Sequence, residues 1–428
     1  MAQVNTRKRG KTWEYRFEAA AVNGRRSQIS KGGFRTKADA LEAGAAALAE
    51  YNRSGLAFSP TELSVTDYLD LWFDSYCKMN LKYNTQLGYF QIMENYLKPA
   101  FGKYRLNALN PTSIQDFANQ LKLKGLSRSS IVGIITTLSC AMNYAIEPLG
   151  YIQYNPCDRV KIPKISKPPH ERIILTAEDF ARIISRFPPG NRFYIPLMIG
   201  FYTGLRISEA FALTWDDINL QQRTLTVNKQ VIKRNFGADV RQAAQKKGKK
   251  ELKSSWYLAS TKTATSNRTI KFGETLYQAL RQEKIRQMEN EMKYAEYYTI
   301  HVLKKELDEK NEPMLRIVPI QKCVGTQLPR IQLICVAENG EYTSTDSFKY
   351  CSRVIHNTLQ LAFDYHSLRH THATMLIEGG ADVKDVQIRL GHGNIKTTLP
   401  TYVHDTEVMA QASVNIFETW ATGQLVHG

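Results

Sequence analysis

The spacing of apolar residues changes along the chain, and each change marks a new element. Near the start, Trp13-Glu14-Tyr15-Arg16-Phe17-Glu18 alternates aromatic and charged side chains, the period-two pattern of a half-buried strand. Asn23-Gly24 is a strong hairpin signal. Arg25 to Phe34 has room for further strands, and Thr36 precedes an Ala-, Leu- and Glu-rich stretch that predicts a helix from Lys37 to Tyr51. Residues 1–57 therefore predict a three-stranded sheet followed by one helix.

From 58 to 155 the period becomes helical. Val65, Tyr68, Leu69, Trp72 and Phe73 recur at helical spacing, and Leu87, Ile92 and Tyr96 follow more loosely. Asn110-Pro111-Thr112 opens a helix through Leu121, and Ser127 precedes another to about Tyr144. Pro156, Pro163, Pro168 and Pro169 then interrupt a basic stretch; proline lacks a backbone donor and disfavours helix just before it, so 156–173 reads as a linker.

The pattern of a larger domain begins at about 174. Thr176-Ala177-Glu178-Asp179 is a capping signal for a helix carrying Phe180, Ile183 and Ile184. Pro196 to Gly204 is an apolar helix, and Thr224 to Val227 alternates as a strand. Trp256 to Ala259 and Arg268 to Phe272 read as the two arms of a hairpin. Leu276 to about Leu307 reads as one long charged helix and Ile331 to Val336 as strand-like, and Thr345 caps a helix to about Phe363. The fold class is multidomain and mainly α with small β-sheets: 1–57, 58–155, the linker 156–173, 174–410 and a tail, 411–428. Toward the end of the chain, Ala410, Val414, Phe417 and Ala421 share a helical face.

Composition narrows the partners. Fifty-seven Lys and Arg against 40 Asp and Glu leave a net charge of +17, which favours a polyanion such as nucleic acid. Residues 1–57 hold 11 basic and 5 acidic side chains, and Lys233 to Lys253 hold 8 and 2, so each carries a net +6. The second run reads as a flexible basic loop. Six cysteines without a CxxC pair fit neither a zinc ribbon nor a disulfide scaffold. No secretory signal and no apolar run of transmembrane length is evident, so the expected location is the cytoplasm.

Five short contexts carry the chemistry: Thr203-Gly204-Leu205-Arg206-Ile207-Ser208-Glu209, Ser260-Thr261-Lys262-Thr263, His366-Ser367-Leu368-Arg369, Leu390-Gly391-His392 and Thr401-Tyr402-Val403-His404. A phosphodiester repels nucleophiles by its own charge, so catalysis must neutralise its non-bridging oxygens. Arginine does this best, because its planar fork bonds two oxygens at once. Arg206 and Arg369 are the candidates, with Glu209 placed to orient Arg206. His366 lies three residues before Arg369, on the same helix face, and can donate to a phosphate or transfer a proton. A phenol such as that of Tyr402 can attack phosphorus and keep the bond energy as a phosphotyrosine. His366 and His370 are spaced i,i+4, but no HExxH or further ligand accompanies them, so no metal or cofactor is expected.

In this order over about 200 residues, the contexts resemble the tyrosine recombinases, the integrases of phages and conjugative transposons. The resemblance implies catalytic roles for Arg206, Lys262, His366, Arg369, His392 and Tyr402. Lys262 would be the general acid on a hairpin turn, with Lys229, Lys253 and Lys271 as competitors, and His392 would hydrogen-bond a scissile oxygen. Pro400 departs from the family's pattern, although proline suits a first helical position. The resemblance also implies arm-site binding by 1–57, core-site binding by 58–155 and a homo-tetramer on paired double-stranded DNA sites. A directionality factor and a host DNA-bending protein are possible additions. The alternatives are a type IB topoisomerase-like enzyme and a catalytically inactive DNA-binding regulator. The 104 positions from Lys262 to His366 contain an insertion, roughly 276–360.

Overall fold

The computed structural model describes residues 4–22, 25–54, 63–165, 173–235, 241, 254–261, 266–308 and 310–391. The chain divides into two compact units, Met1–Ser166 and Lys167–Gly428. In the first, strands β1 (Asn5–Arg9), β2 (Thr12–Val22) and β3 (Arg25–Phe34) form an antiparallel sheet in chain order. Helix α1 (Lys37–Ser54) follows. It begins with a reciprocal cap: Asp39 N–H donates to Thr36 Oγ1 at 3.1 Å, and Thr36 N–H donates to the Asp39 carboxylate at 3.3 Å. Tyr15, Phe17 and Ala40 are buried, so α1 and one sheet face enclose a small core. The Asn23-Gly24 turn lies outside the described residues.

Helix α2 (Val65–Trp72) passes through a π-helical turn, Phe73–Cys77, into α3 (Lys78–Asn80). Val65, Tyr68, Leu69, Trp72 and Phe73 are all fully buried, the stripe their spacing predicts. Helix α4 (Tyr83–Ile92) likewise passes through a π turn, Met93–Leu97, into α5 (Lys98–Phe101). Here the expected stripe is corrected. Tyr83, Gln86, Phe90, Met93 and Leu97 are buried, whereas Leu87, Ile92 and Tyr96 are only partly so. The inward face includes a polar residue that an apolar pattern passes over. Gln86 is buried because its amide donates to the carbonyls of Leu81 at 2.8 Å and Lys78 at 3.3 Å.

Asn110 and Ser127 cap α6 (Pro111–Leu123) and α7 (Arg128–Ile146). By length and composition α7 could cross a membrane, which corrects the expectation that no such run exists. In the fold it is a core helix, with Ile131, Leu138, Ala141, Met142 and Ala145 fully buried. The first part of the expected linker is tied to this unit. Asn155 donates to Asn143 Oδ1 at 2.7 Å, and Gln115 both donates to Lys161 O (2.9 Å) and accepts from Lys161 N–H (2.8 Å). Residues 166–172 lie outside the described residues.

The second unit opens with α8 (Ala177–Arg186), capped by the Thr176–Asp179 box, then α9 (Tyr194–Thr203) and the single turn α10 (Ile207–Ala210). Its strands are β4 (Ile218–Asn219), β5 (Thr224–Val227), β6 (Lys229–Asn235), β7 (Ser254–Ser260) and β8 (Arg268–Lys271). Helix α11 (Glu274–Tyr294) follows, then β9 (Thr299–Leu307), β10 (Pro313–Gln321) and β11 (Arg330–Ile331). Helices α12 (Thr345–Leu359), α13 (Tyr365–Glu378) and α14 (Val383–Leu390) complete the described part. The sheets run β4-β5-β8 and β11-β9-β10-β7-β6.

Three expectations are corrected in this unit. First, β7 and β8 are not partners: β7 pairs with β6 and β10, and β8 pairs with β5. The two strands that flank Lys262 therefore belong to different sheets. Second, the charged helix stops at Tyr294, where Ala295 takes a positive φ of 46°, and Thr299–Leu307 is a strand. The β-branched and aromatic run Tyr298-Thr299-Ile300 favours strand over helix. The insertion thereby adds a β9–β10 hairpin to β7, with Leu315 opposite Leu258 and Ile317 opposite Trp256. Third, Ser344 rather than Thr345 caps α12. Phe211, Phe348, Leu197, Ile199, Leu205, Leu276 and Leu368 form the centre of the core. Most of the basic run Lys233–Lys253 lies outside the described residues.

Candidate active site

The site is built on two turns at which helices end in left-handed glycines. Gly204 closes α9 at φ +65°, and Gly391 closes α14 at φ +69°. Neither position tolerates a side chain. A Cβ on Gly204 would lie 2.8 Å from both the His372 ring and Leu390, and one on Gly391 would lie 2.9 Å from an Arg268 nitrogen. The glycines in the two motifs thus serve conformation and close approach together.

Arg206 stands two residues past the first turn and caps α10. Its Nη1 donates to Glu209 Oε1 at 2.7 Å, its backbone N–H to Glu209 Oε2 at 3.2 Å, and its Nη2 to the Gly391 carbonyl at 3.3 Å. The Arg206 side chain is still 35% exposed, whereas that of Glu209 is 4% exposed. Burial alone would raise the Glu209 pKa. The hydrogen bond and charge of Arg268, then those of Arg206, outweigh it and hold the carboxyl below its ordinary range.

Arg369 lies on the inner face of α13 and is fully buried. Its Nη1 donates to Gly204 O and its Nη2 to Leu390 O, each at 2.9 Å. One guanidinium therefore stitches together the two turns, 165 and 21 residues away in sequence. His366 is exposed on the first turn of α13, edge-on to His370 with ring centroids 4.6 Å apart. Its pKa is lowered, first by partial desolvation and then by Arg369 and Arg206, against an opposing pull from Asp364. Arg206, His366 and Arg369 are thus gathered around the paired turns. Lys262, His392, Pro400, Tyr402 and the tail lie outside the described residues. Lys262 belongs to the four residues between Thr261 and Ser266, and His392 directly follows Gly391.

Sequence reasoning missed the support behind these groups. Arg268, at the start of β8, donates to Glu209 Oε2 (2.9 Å), Arg389 O (2.7 Å) and Ser266 O (3.0 Å). Arg389 donates to Lys271 O, Tyr202 O and His372 Nε2. A guanidinium can only donate, so His372 Nε2 accepts, and Nδ1–H must donate to Phe201 O at 2.9 Å. His372 is a structural, neutral imidazole. Among the competitors to Lys262, Lys229 is committed to an ion pair with Asp217, which also accepts from Thr214. Nothing in the pattern separated Arg268 or Arg389 from a surface arginine.

Burial pushes the pKa of both His372 and His301 down to about 4. A base with a depressed folded pKa contributes stability above its unfolded value near ~6.5 and loses it as pH falls toward the folded value. The thermal midpoint is therefore expected to fall by several degrees between pH 6.5 and 4.5, before most carboxylates titrate. His372→Gln, which keeps one donor and one acceptor, is expected to flatten that slope. A calorimetric pH series on both proteins checks it, and an unchanged slope would place the ring in water.

Residues 174–408 match the sequence signature described as phage integrase family, 64–122 that of the phage integrase N-terminal SAM-like domain, and 3–51 that of the arm DNA-binding domain. A tyrosine recombinase XerC-like protein of Caldanaerobacter subterraneus subsp. tengcongensis is 26% identical over 374 residues, 86% of this chain and 85% of its own. The ICEBs1 integrase of Bacillus subtilis is 24% identical over 336 residues, 77% of this chain and 76% of its own. The Tn1549 transposon integrase, solved with a circular intermediate DNA, superimposes with a TM-score of 0.60 at 22% identity, covering 83% of this chain and 100% of that one. A lambda integrase dimer bound to a COC′ core site gives a TM-score of 0.52 at 16% identity, covering 81% and 97%. These likenesses establish the multidomain, mainly helical fold with small sheets that the sequence pattern predicts.

Proposed function

The chain belongs to the phage integrase family, the tyrosine recombinases, and we propose that it integrates and excises a mobile element by site-specific cleavage and rejoining of DNA. The observation that carries this reading is the convergence of Arg206 and Arg369 on the Gly204 and Leu390–Gly391 turns. Two guanidiniums from distant segments meet beside His366, and the second turn leads directly into His392.

In the reaction, Arg206 binds and neutralises a non-bridging phosphate oxygen, while Arg369 fixes the turns and adds positive potential from behind. His392 donates to a phosphoryl oxygen, and Tyr402 attacks phosphorus as His366 accepts its phenolic proton. The P–O bond to the 5′-oxygen breaks, Lys262 protonates that oxygen, and the DNA is held as a 3′-phosphotyrosine. The freed 5′-hydroxyl of a partner strand then attacks the phosphotyrosine and restores the phenol. Guanidinium groups carry the charge work, so the reaction proceeds without a metal.

The proposed partners are double-stranded core and arm sites, a homo-tetramer on DNA, a directionality factor and a host DNA-bending protein, and the proposed setting is the bacterial cytoplasm. The proposed division of labour assigns arm sites to 1–57, core sites to 58–155, a basic linker to 156–173, chemistry to 174–410 and a C-terminal tail to 411–428.

The deciding experiment incubates the protein, in EDTA, with a nicked duplex carrying the element's end, followed by a denaturing gel and mapping of the adduct. A 3′-linked adduct that forms only at that sequence supports a recombinase. Adducts without sequence preference, together with relaxation of any supercoiled plasmid, favour the topoisomerase. Tight binding with no adduct favours the inactive regulator. Deleting residues 1–57 is expected to leave adduct formation at core sites within about threefold of the full chain and to reduce complete recombination at least ~10-fold, because multivalent binding is lost. Loss of all cleavage in that truncation would refute the assignment of 1–57.

A further inference from the structure

Glu209 stands between two guanidiniums. Its Oε1 takes Arg206 Nη1 at 2.7 Å, and its Oε2 takes Arg268 Nη2 at 2.9 Å. The side chains of Arg268 and Glu209 are each 4% exposed, so this second pair is held out of water. Arginine and carboxylate frequently form a two-pronged, parallel pair. Arg206 does not make one here: only one of its side-chain nitrogens is on Glu209, while Nη2 reaches Gly391 O and a third of the side chain stays exposed. Arg268, together with the Arg206 backbone N–H at 3.2 Å, occupies the oxygen that the second prong would need. Three groups, two cationic and one anionic, leave a net charge of +1 beside the paired turns.

We propose that Arg268 is a positioning residue of the recombination reaction. By occupying Glu209 Oε2 it keeps that carboxylate from capturing both prongs of Arg206, and so leaves the Arg206 fork available to the scissile phosphate. Remove Arg268, and Glu209 draws Arg206 into a closed, neutral pair facing away from the substrate. The proposal rests on Arg206 being a phosphate ligand, as the proposed function has it.

A purely structural role is distinguishable. Arg268 also donates to Arg389 O and Ser266 O, and any variant that lacks the guanidinium loses those two bonds. A second change at Glu209 cannot restore them. It can restore the freedom of Arg206, because glutamine carries no charge and offers one acceptor oxygen. The double variant Arg268→Met with Glu209→Gln also returns the net charge of the cluster to +1.

The test measures single-turnover adduct formation by the full-length chain on the nicked duplex, alongside affinity for the same duplex. Arg268→Met is expected to slow adduct formation about 100-fold, the scale of a misplaced catalytic group, with affinity within about threefold. Adding Glu209→Gln is expected to bring the rate back to within ~10-fold of the wild type. Arg268→Met at wild-type rate, or a double variant as slow as Arg268→Met, overturns the proposal. If Arg268→Met alone fails to fold, the double variant against the wild type decides by the same ~10-fold and ~100-fold outcomes. If the wild type itself yields no adduct, the proposed function fails instead, whatever the variants do.

Discussion

Replacing Arg206 by lysine is expected to slow covalent cleavage by about 100- to 1,000-fold, the usual loss when one preorganised donor to a reacting oxyanion is removed. The charge survives the substitution; the geometry does not. The guanidinium reaches Glu209 with one nitrogen and Gly391 O with another, and still presents 35% of the side chain to solvent. An ammonium is a compact point donor. Facing a carboxylate that is 4% exposed and held ionised, it would settle on Glu209 and have no second prong to offer a phosphate. Affinity for intact duplex is expected to change less than about threefold, because many lysines and arginines spread over the chain supply the phosphate contacts. Single-turnover adduct formation beside a binding titration separates the two quantities. Near-normal cleavage by Arg206→Lys would remove Arg206 from the site.

What the sequence disclosed and what it hid divide along a physical line. Helix starts were legible because caps are local: Ser127, Asn110 and Thr176 each accept a backbone N–H three residues on, as their side chains and spacing dictate. Strand pairing was not, because a strand's partner is set by contacts far away in sequence. Trp256 and Arg268 look like arms of one hairpin, yet β7 pairs with a strand of the insertion and β8 with β5. Leu276 to Leu307 reads as one helix because its first part, through Tyr294, forms one; the switch to strand rests on a short run, Tyr298-Thr299-Ile300, in a charged context.

The candidate site shows the same division. Arg206, His366 and Arg369 announce themselves by their neighbours. Arg268 and Arg389 do not, because their partners are mainly backbone carbonyls and a carboxylate that only the fold brings close. Arg369 carries a further lesson. Its motif pointed to a phosphate clamp, and the structure buries it completely between two carbonyls. A buried cation so engaged stabilises the turns on which the exposed groups stand, and its charge still acts on the site through a medium that screens less than water.

Tyr402→Phe is expected to abolish the adduct, a loss of at least ~10,000-fold, because no other group can replace a covalent nucleophile. Among the chain's 22 tyrosines several stand in the same unit, so the location of the adduct is the sharper result. Tyr365 and Tyr342 illustrate why neighbours are poor substitutes: burial raises both phenols well above the ordinary value, and their hydroxyls donate to Pro196 O and Phe211 O. A phenol has an unperturbed pKa near ~10, so a nucleophilic tyrosine needs cations at the attacking oxygen rather than a dry pocket. In sequence, Tyr402 follows by ten residues the His392 that succeeds the second turn. Mass spectrometry of the trapped complex should therefore find the DNA on Tyr402, equally in EDTA and in magnesium. An adduct that persists in Tyr402→Phe, or that maps to another tyrosine, would move the nucleophile elsewhere while leaving the arginine cluster as the phosphate site.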